Sequence, residues 1–154
     1  MKQVVAASAA LGTLPNKLPQ GVYYGGAWHR SSSQQIPVYS PSTGQEVAKV
    51  DSAGEEELEA AVKAATAGQK IWAKTIPLER SRVMREAASK IKEHKEELAR
   101  LDALDSGNSL RGMLFDVDIA VTLMEFFAGL ATEIKGETVP VGAGKVNYVV
   151  REPV

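Results

Sequence analysis

The feature that most constrains this fold is a long run of apolar residues at helical spacing between residues 77 and 136. Apolar side chains recur at steps of three and four, which places them on one face of each helix. Two sets follow this spacing: Met84, Ala87, Ala88, Ile91, Leu98, Leu101 and Leu104, then Met113, Val117, Ala120, Val121, Met124, Phe127, Ala128, Ala131 and Ile134. The spacing predicts a block of helices, each with one buried face.

A short polar stretch, residues 105–109, interrupts this block. Gly107 suits the left-handed position that ends a helix, and Asn108 or Ser109 suits the cap of the next one. We expect the second helix to run on until Gly136. Pro77 is suited to the first turn of the first helix, where its missing N–H has no cost.

Short strands are predicted on both sides of the helical block. Gly25-Gly26 and Ser40-Pro41-Ser42-Thr43-Gly44 are turn sequences that connect apolar or alternating runs. The predicted strands cover residues 22–24, 27–28, 36–39, 46–50, 137–141 and 146–151.

One further helix is predicted after the fourth strand. Ser52 and Glu55 have the spacing of a capping box, and Glu55–Glu57 would lie at the positive end of the helix dipole. This placement explains the acidic run without an acidic functional site. The expected buried face consists of Leu58, Ala61, Val62, Ala65 and Trp72.

Composition excludes several classes of function. The chain has 154 residues, which suits one domain, and a net charge of −1, which gives no broad attraction to nucleic acid or anionic membranes. No run approaches the ~20 apolar residues that span a bilayer. The absence of cysteine excludes disulfides and a thiol nucleophile within this chain and is compatible with a cytoplasmic location.

Other polar groups have ordinary structural explanations. With only His29 and His94, a histidine-rich metal site is not expected, and His94 is interpreted as a packed or helix-junction residue. Basic and acidic residues alternate over residues 79–97, which predicts a solvated face with ion pairs. Residues 1–20 are interpreted as a mobile tail, with a secretory signal as the alternative.

Several stretches, in one order, resemble the N-terminal portion of the aldehyde dehydrogenase superfamily. They are Tyr24-Gly25-Gly26-Ala27-Trp28, Val38 to Gly44, Val47 to Val50 before Ser52, Trp72, Pro77-Leu78-Glu79-Arg80, Leu104 to Asn108, Phe126-Phe127-Ala128-Gly129, Gly136-Glu137-Thr138-Val139-Pro140 and Arg151-Glu152-Pro153-Val154. Each is weak alone, but together they span most of residues 22–154.

The resemblance implies an α/β fold of which this chain carries helices and short antiparallel strands. Residues 21–140 would form the N-terminal part of a Rossmann-like cofactor-binding domain, and residues 141–154 the start of an oligomerisation arm. Full members use NAD or NADP to oxidise an aldehyde to an acid. A cysteine thiolate attacks the aldehyde, an asparagine lies in the oxyanion hole, and a glutamate activates water.

The resemblance, together with the absence of cysteine, implies an enzyme fragment that is inactive alone and does not bind NAD tightly. The alternative is a non-enzymatic helical module that binds another protein. An independent module is expected to end in a cap, turn or polar tail. Because residues 151–154 have none of these, the fragment is favoured.

Three binding roles follow from the resemblance. Many members hold a monovalent cation, and the matching ligands are the backbone carbonyls of Val38 and Tyr39 and the carboxylate of Asp105. Na⁺ or K⁺ suits such oxygens, whereas the alternative is that Asp105 caps the helix junction. The strand at residues 146–151 would associate with another copy or aggregate. Phe126-Phe127 would reach the substrate tunnel or pack in the core.

Overall fold

In a computed structural model, residues 20–31 and 33–152 are described, and they form four helices and six short strands. Residues 1–19 and the interpretations made of them lie outside this range. None of the helices in the described range is long and apolar enough to cross a membrane. The elements are β1 (Val22–Tyr24), β2 (Ala27–His29), β3 (Gln35–Tyr39), β4 (Glu46–Asp51), α1 (Glu55–Lys74), α2 (Pro77–Glu93), α3 (Lys95–Ser106), α4 (Leu110–Leu130), β5 (Glu137–Val139) and β6 (Asn147–Val149).

The core lies where α4 packs against α2 and α3. Its most buried residues are small: Ala88 on α2, Ala99 on α3 and Ala128 on α4 are fully inaccessible. Alanine at a contact lets two helices approach closely. Leu110, Leu114 and Val117 pack around a cluster of Ala99, Ala103 and Met113. The helical spacing correctly predicted Met113, Val121, Ala128 and Ala131 as buried. Ala120, Phe127 and Ile134, which belong to the same predicted set, are exposed.

The strands form three separate antiparallel hairpins: β1–β2, β3–β4 and β5–β6. The predicted turns are confirmed, with Gly25 and Gly26 at φ +60° and +86° and Gly44 at φ +70°. A parallel sheet is absent from residues 20–31 and 33–152. These helices and short strands, with the structural relatives described below, fit the α/β fold class.

Two helix ends differ from the prediction. α1 begins at Glu55, and the box predicted from Ser52 to Glu55 is displaced by two residues: the Glu57 carboxylate accepts the Gly54 N–H at 2.8 Å. α4 ends at Leu130 rather than Gly136. After Leu130, turn hydrogen bonds replace those of the α-helix. For example, the Glu133 N–H donates to the Leu130 carbonyl at 2.9 Å.

Large apolar side chains are exposed on several elements. The predicted buried face of α1 is wrong for this chain: Leu58, Val62 and Trp72 are 58%, 54% and 40% exposed, and α1 has no buried residue. Within the described range, the main neighbour of α1 is β1, and the contact between them is small. No layer therefore covers the apolar face of α1. A second apolar stripe lies on the outer side of α4: Phe115, Ile119, Leu123, Phe126 and Leu130.

The charged residues of α2 form a solvated face, as predicted. Arg82 pairs with Glu79 and Glu86, one turn away on either side. Its hydrogen bond and positive charge hold the pKa of Glu79 below the usual value. His94 lies at the junction of α2 and α3, with Nδ1 3.2 Å from a Glu97 carboxylate oxygen, which confirms the helix-junction interpretation.

A polar cluster holds the open end of the β3–β4 hairpin. Gln35 Nε2 donates to Asp51 Oδ1 at 2.8 Å, and Arg30 Nη1 lies 3.6 Å from Oδ2. The side chain of Asp51 is almost fully inaccessible. The Gln35 hydrogen bond, followed by the charge of Arg30, lowers the pKa of Asp51 against the opposing effect of burial. The carboxylate therefore stays ionised and ties β2, β3 and β4 together.

Two glycine-to-alanine substitutions are expected to have opposite effects on stability. At Gly107, φ is +76° and a new Cβ would lie 3.1 Å from Pro41 Cβ. We expect Gly107→Ala to destabilise by about 1–2 kcal/mol. Gly68 is inside α1 with open space around it, so Gly68→Ala is expected to stabilise by about 0.5–1 kcal/mol. Urea unfolding midpoints measure both changes, and equal effects would contradict the left-handed assignment.

Candidate functional site

The turn between β3 and β4 lies against the junction between α3 and α4. Gly107 is in the left-handed region and ends α3, and its N–H donates to the Ala103 carbonyl at 3.1 Å. Ser109 begins α4, and its hydroxyl accepts the Gly112 N–H at 3.2 Å. Both predicted caps are confirmed. Pro41 packs on Gly107, so glycine here also permits the close approach of the turn.

A cleft of about 420 Å³ lies between this hairpin and α3. Val38 and Asp105, two of the three predicted cation ligands, both line it. Tyr39 is outside the lining set. The structure therefore brings a strand residue and a helix residue together that are far apart in sequence. The full lining is Val38, Val47, Ala48, Val50, Leu98, Leu101, Asp102, Leu104 and Asp105.

A β-bulge shapes the hairpin side of this cleft. Val38 pairs with Ala48, whereas the next residue, Tyr39, pairs with Glu46, so Val47 is an extra residue in β4. Bulges redirect side chains and interrupt the ladder of hydrogen bonds. Here Val47 and its neighbour Ala48 both line the cleft. The ladder is irregular at the two residues whose carbonyls were predicted to bind a cation.

The Asp105 carboxylate has no hydrogen bond or ion pair within residues 20–31 and 33–152. Capping of the junction is done by Ser106, Gly107 and Ser109, because the Ser106 hydroxyl also accepts the Asn108 N–H at 3.2 Å. The capping alternative for Asp105 therefore has no contact to support it. The cation site at Val38, Tyr39 and Asp105 stays a prediction. No group of three or more acidic or histidine side chains able to hold a metal occurs in the described range.

The described residues do not fit the phosphates of a dinucleotide. A pyrophosphate needs free N–H groups and a positive potential at a helix N-terminus that follows a strand. Only β4 leads directly into a helix in residues 20–31 and 33–152. The first turn of that helix carries Glu55, Glu56 and Glu57, and Glu57 already accepts the Gly54 N–H. These carboxylates would repel a pyrophosphate.

Phe126 and Phe127 contact each other edge to face, with ring centroids 5.3 Å apart. They are 59% and 53% exposed, so the interpretation of both as core residues is wrong for this chain. Their role in a substrate tunnel stays a prediction. They lie at the C-terminal half of α4, whose inner face is already occupied by Met113, Val121 and Ala128.

Comparisons with known proteins give one consistent result. A family model described as "Aldehyde dehydrogenase family" matches residues 28–154. The chain is 43% identical over 77% of its length to betaine aldehyde dehydrogenase of Cereibacter sphaeroides, and 36% identical over 94% to 4-trimethylaminobutyraldehyde dehydrogenase B of Danio rerio. It spans 24% and 28% of these relatives, about a quarter of their length.

A solved structure has the same fold over most of this chain. The crystal structure of PnpE in complex with nicotinamide adenine dinucleotide superposes with a TM-score of 0.84 at 31% identity. The match covers 88% of this chain and 28% of that one. The helices and hairpins described above therefore correspond to one part of a longer fold.

The predicted cation site can be tested by thermal melts in NaCl, KCl and choline chloride at equal ionic strength. A cation bound only by the folded chain stabilises it by about 1 kcal/mol at five times Kd, which corresponds to about 2–4 °C in Tm. We expect this rise in Na⁺ or K⁺ but not in choline. Asp105→Asn is expected to abolish the difference, whereas the control Asp116→Asn on α4 retains it. Identical midpoints in all three salts would contradict the site.

Proposed function

The chain belongs to the aldehyde dehydrogenase family, and we propose that it forms the N-terminal helical layer of an NAD- or NADP-dependent enzyme that oxidises an aldehyde to a carboxylic acid. The observation that carries this proposal is the superposition on about a quarter of an NAD-bound relative, at TM-score 0.84. The relatives compared here are oxidoreductases that act on aldehydes by name.

The proposed contribution of this chain is structural and not catalytic. A thioester mechanism needs a thiolate nucleophile, and the 154 residues contain no cysteine. The acidic first turn of α1 does not suit the cofactor phosphates. The nucleophile, the basic glutamate, the oxyanion asparagine and the main contacts to NAD or NADP are therefore assigned to polypeptide outside these residues. When bound, the cofactor accepts hydride from the substrate.

A monovalent cation is proposed to stabilise this layer. Val38 and Asp105 line one cleft, and the β3–β4 ladder is irregular at Val38 and Tyr39. Carbonyl and carboxylate oxygens suit Na⁺ or K⁺. Such an ion would link the hairpin to the α3–α4 junction, beside the contact of Pro41 with Gly107. Its role would be to fix the relative position of these two elements.

We also propose association through the last hairpin. Among the strands of residues 20–31 and 33–152, β5 and β6 pair only with each other, and all six of their residues are exposed. An isolated two-stranded hairpin is marginally stable, and its apolar edge pairs readily with another strand. Val146, Tyr148 and Val150 are 85%, 67% and 59% exposed. The proposed partner is a second copy of this chain. Binding to nucleic acid or to a membrane is not proposed.

A non-enzymatic binding module is the second candidate function. The same exposed faces of α1, α4 and β6 support it, because they could bind another protein without contributing to catalysis. A cytoplasmic location is proposed for either function, since a cysteine-free chain of balanced charge needs no oxidising compartment.

Complementation separates the two candidates. The chain is mixed with a Cys-bearing polypeptide that covers the remainder of a family member, and NADH formation from an aldehyde is followed by absorbance. We expect no turnover with the chain alone. Turnover should be restored with both polypeptides, because their exposed apolar faces would cover each other. If the two polypeptides bind each other but form no NADH, the result favours the binding module. Turnover by the chain alone would overturn the structural role.

Association can be tested with one charge substitution. Val146→Lys is expected to reduce the mass measured by light scattering toward that of a monomer, because a lysine next to the first residue of β6 opposes pairing of this edge. Since Val146 is 85% exposed, the fold of each copy should be unaffected. Gln69→Lys, on the exposed surface of α1, adds the same charge and is expected to leave the mass unchanged. A monomeric parent chain would contradict the proposal.

A further inference from the structure

The junction between α1 and α2 consists of two extended residues. Thr75 and Ile76 have ψ values of 131° and 149°, and Pro77 begins α2 directly after them. A proline restricts the residue before it to extended backbone and fixes its own φ. Rotation between the two helices is therefore left mainly to Thr75.

The carbonyl groups at the end of α1 accept hydrogen bonds from two residues outside this helix, Thr75 and Arg80. The Thr75 N–H donates to the Trp72 carbonyl at 3.1 Å, and its hydroxyl donates to the Ile71 carbonyl at 3.1 Å. Arg80 Nη2 donates to the Ala73 carbonyl at 3.1 Å, and its Nε donates to the Thr75 carbonyl at 2.9 Å. Carbonyls at a helix C-terminus lack partners within the helix, so these bonds cap α1.

The side chain of Arg80 connects two helices, because Arg80 lies in the first turn of α2 and reaches back to the end of α1. Its positive charge lies at the negative end of the α1 dipole, where a cation is favourable. Arg80 forms no ion pair with a carboxylate among residues 20–31 and 33–152, whereas Arg82 pairs with Glu79 and Glu86. The guanidinium of Arg80 is therefore committed to the backbone of the junction.

The other contacts of α1 are few. This helix has no buried residue, and its main neighbour in the described part of the chain is β1. The direction of the Thr75 carbonyl changes with the ψ torsion of Thr75, so the bond from Arg80 Nε restrains this torsion. The planar guanidinium holds this carbonyl and that of Ala73 in one fixed geometry.

We propose that Thr75 is a hinge between α1 and α2, and that Arg80 is a positioning residue that clamps this hinge. With the clamp in place, the exposed apolar face of α1, which includes Leu58 and Val62, keeps one direction relative to α2. A preorganised surface loses less conformational entropy on binding. The benefit for binding rests on the proposed function, in which further polypeptide covers this face, whereas the hinge and the clamp do not.

The angle between α1 and α2 can be measured with a pair of spin labels, because the chain has no native cysteine. Lys63→Cys on α1 and Lys92→Cys on α2 place both labels at exposed positions, and double electron–electron resonance gives the distribution of label distances. We expect one narrow distribution for the labelled parent. Arg80→Met keeps a long unbranched side chain but removes both donors, so it is expected to broaden the distribution. Arg80→Lys is expected to be intermediate, because one ammonium does not reproduce the planar fork.

Arg82→Met is the matched control, because it removes the same charge from the exposed face of α2 without touching the junction. Its label distribution should equal that of the parent. Circular dichroism measures whether each variant keeps its helices, and Arg80→Lys decides the outcome if Arg80→Met unfolds. A parental distribution for the folded Arg80 variants, or equal broadening by Arg82→Met, would overturn the clamp. Failed complementation of the enzyme, with the expected label distributions, would count against the proposed function only.

Discussion

The structure depends on close contact between helices at alanine positions. Ala88, Ala99 and Ala128 are fully inaccessible, whereas no large side chain in residues 20–31 and 33–152 is completely buried. Small side chains bring the backbones of α2, α3 and α4 together, but each removes little apolar area from water. Because burial stabilises in proportion to area, this seam alone gives modest stability. Several larger apolar side chains, such as Leu58, Phe115 and Phe126, lie outside it and are exposed.

The cleft is a consequence of how the hairpin meets this helical unit. Pro41 lies against Gly107 at the α3–α4 junction, and Val47 at the bulge lines the cleft together with residues of α3. Contact is therefore tight at the turn and open along the strands. Leu98, Leu101 and Asp105 of α3 all line the open cleft. Gly107 permits the close approach at the turn, and the extra residue Val47 is one of the residues that line the cleft.

The sequence predicted the turns and the helix caps, but it did not predict which apolar helix faces are covered. Gly25-Gly26, Pro77, Gly107 and Ser109 have the roles predicted for them, because each depends on its own backbone geometry. The stripe on α1 was predicted as buried yet is exposed, since periodicity identifies a face suited to burial without identifying what covers it. Val38, Tyr39 and Asp105 were predicted as cation ligands through the family resemblance, and this role stays a prediction. The bulge depends on the pairing register of β3 and β4, which no local pattern specified.

The two apolar faces of α4 connect the fold to the proposed role. Its inner face, with Met113, Val121 and Ala128, is covered by α2 and α3, whereas its outer stripe from Phe115 to Leu130 is exposed. A helix with apolar side chains on more than one face is suited to burial on more than one side. Since one side is already covered, the other side is suited to contact with further polypeptide. This geometry favours a layer inside an aldehyde dehydrogenase assembly, and it explains why large apolar side chains are retained where this chain has nothing to cover them.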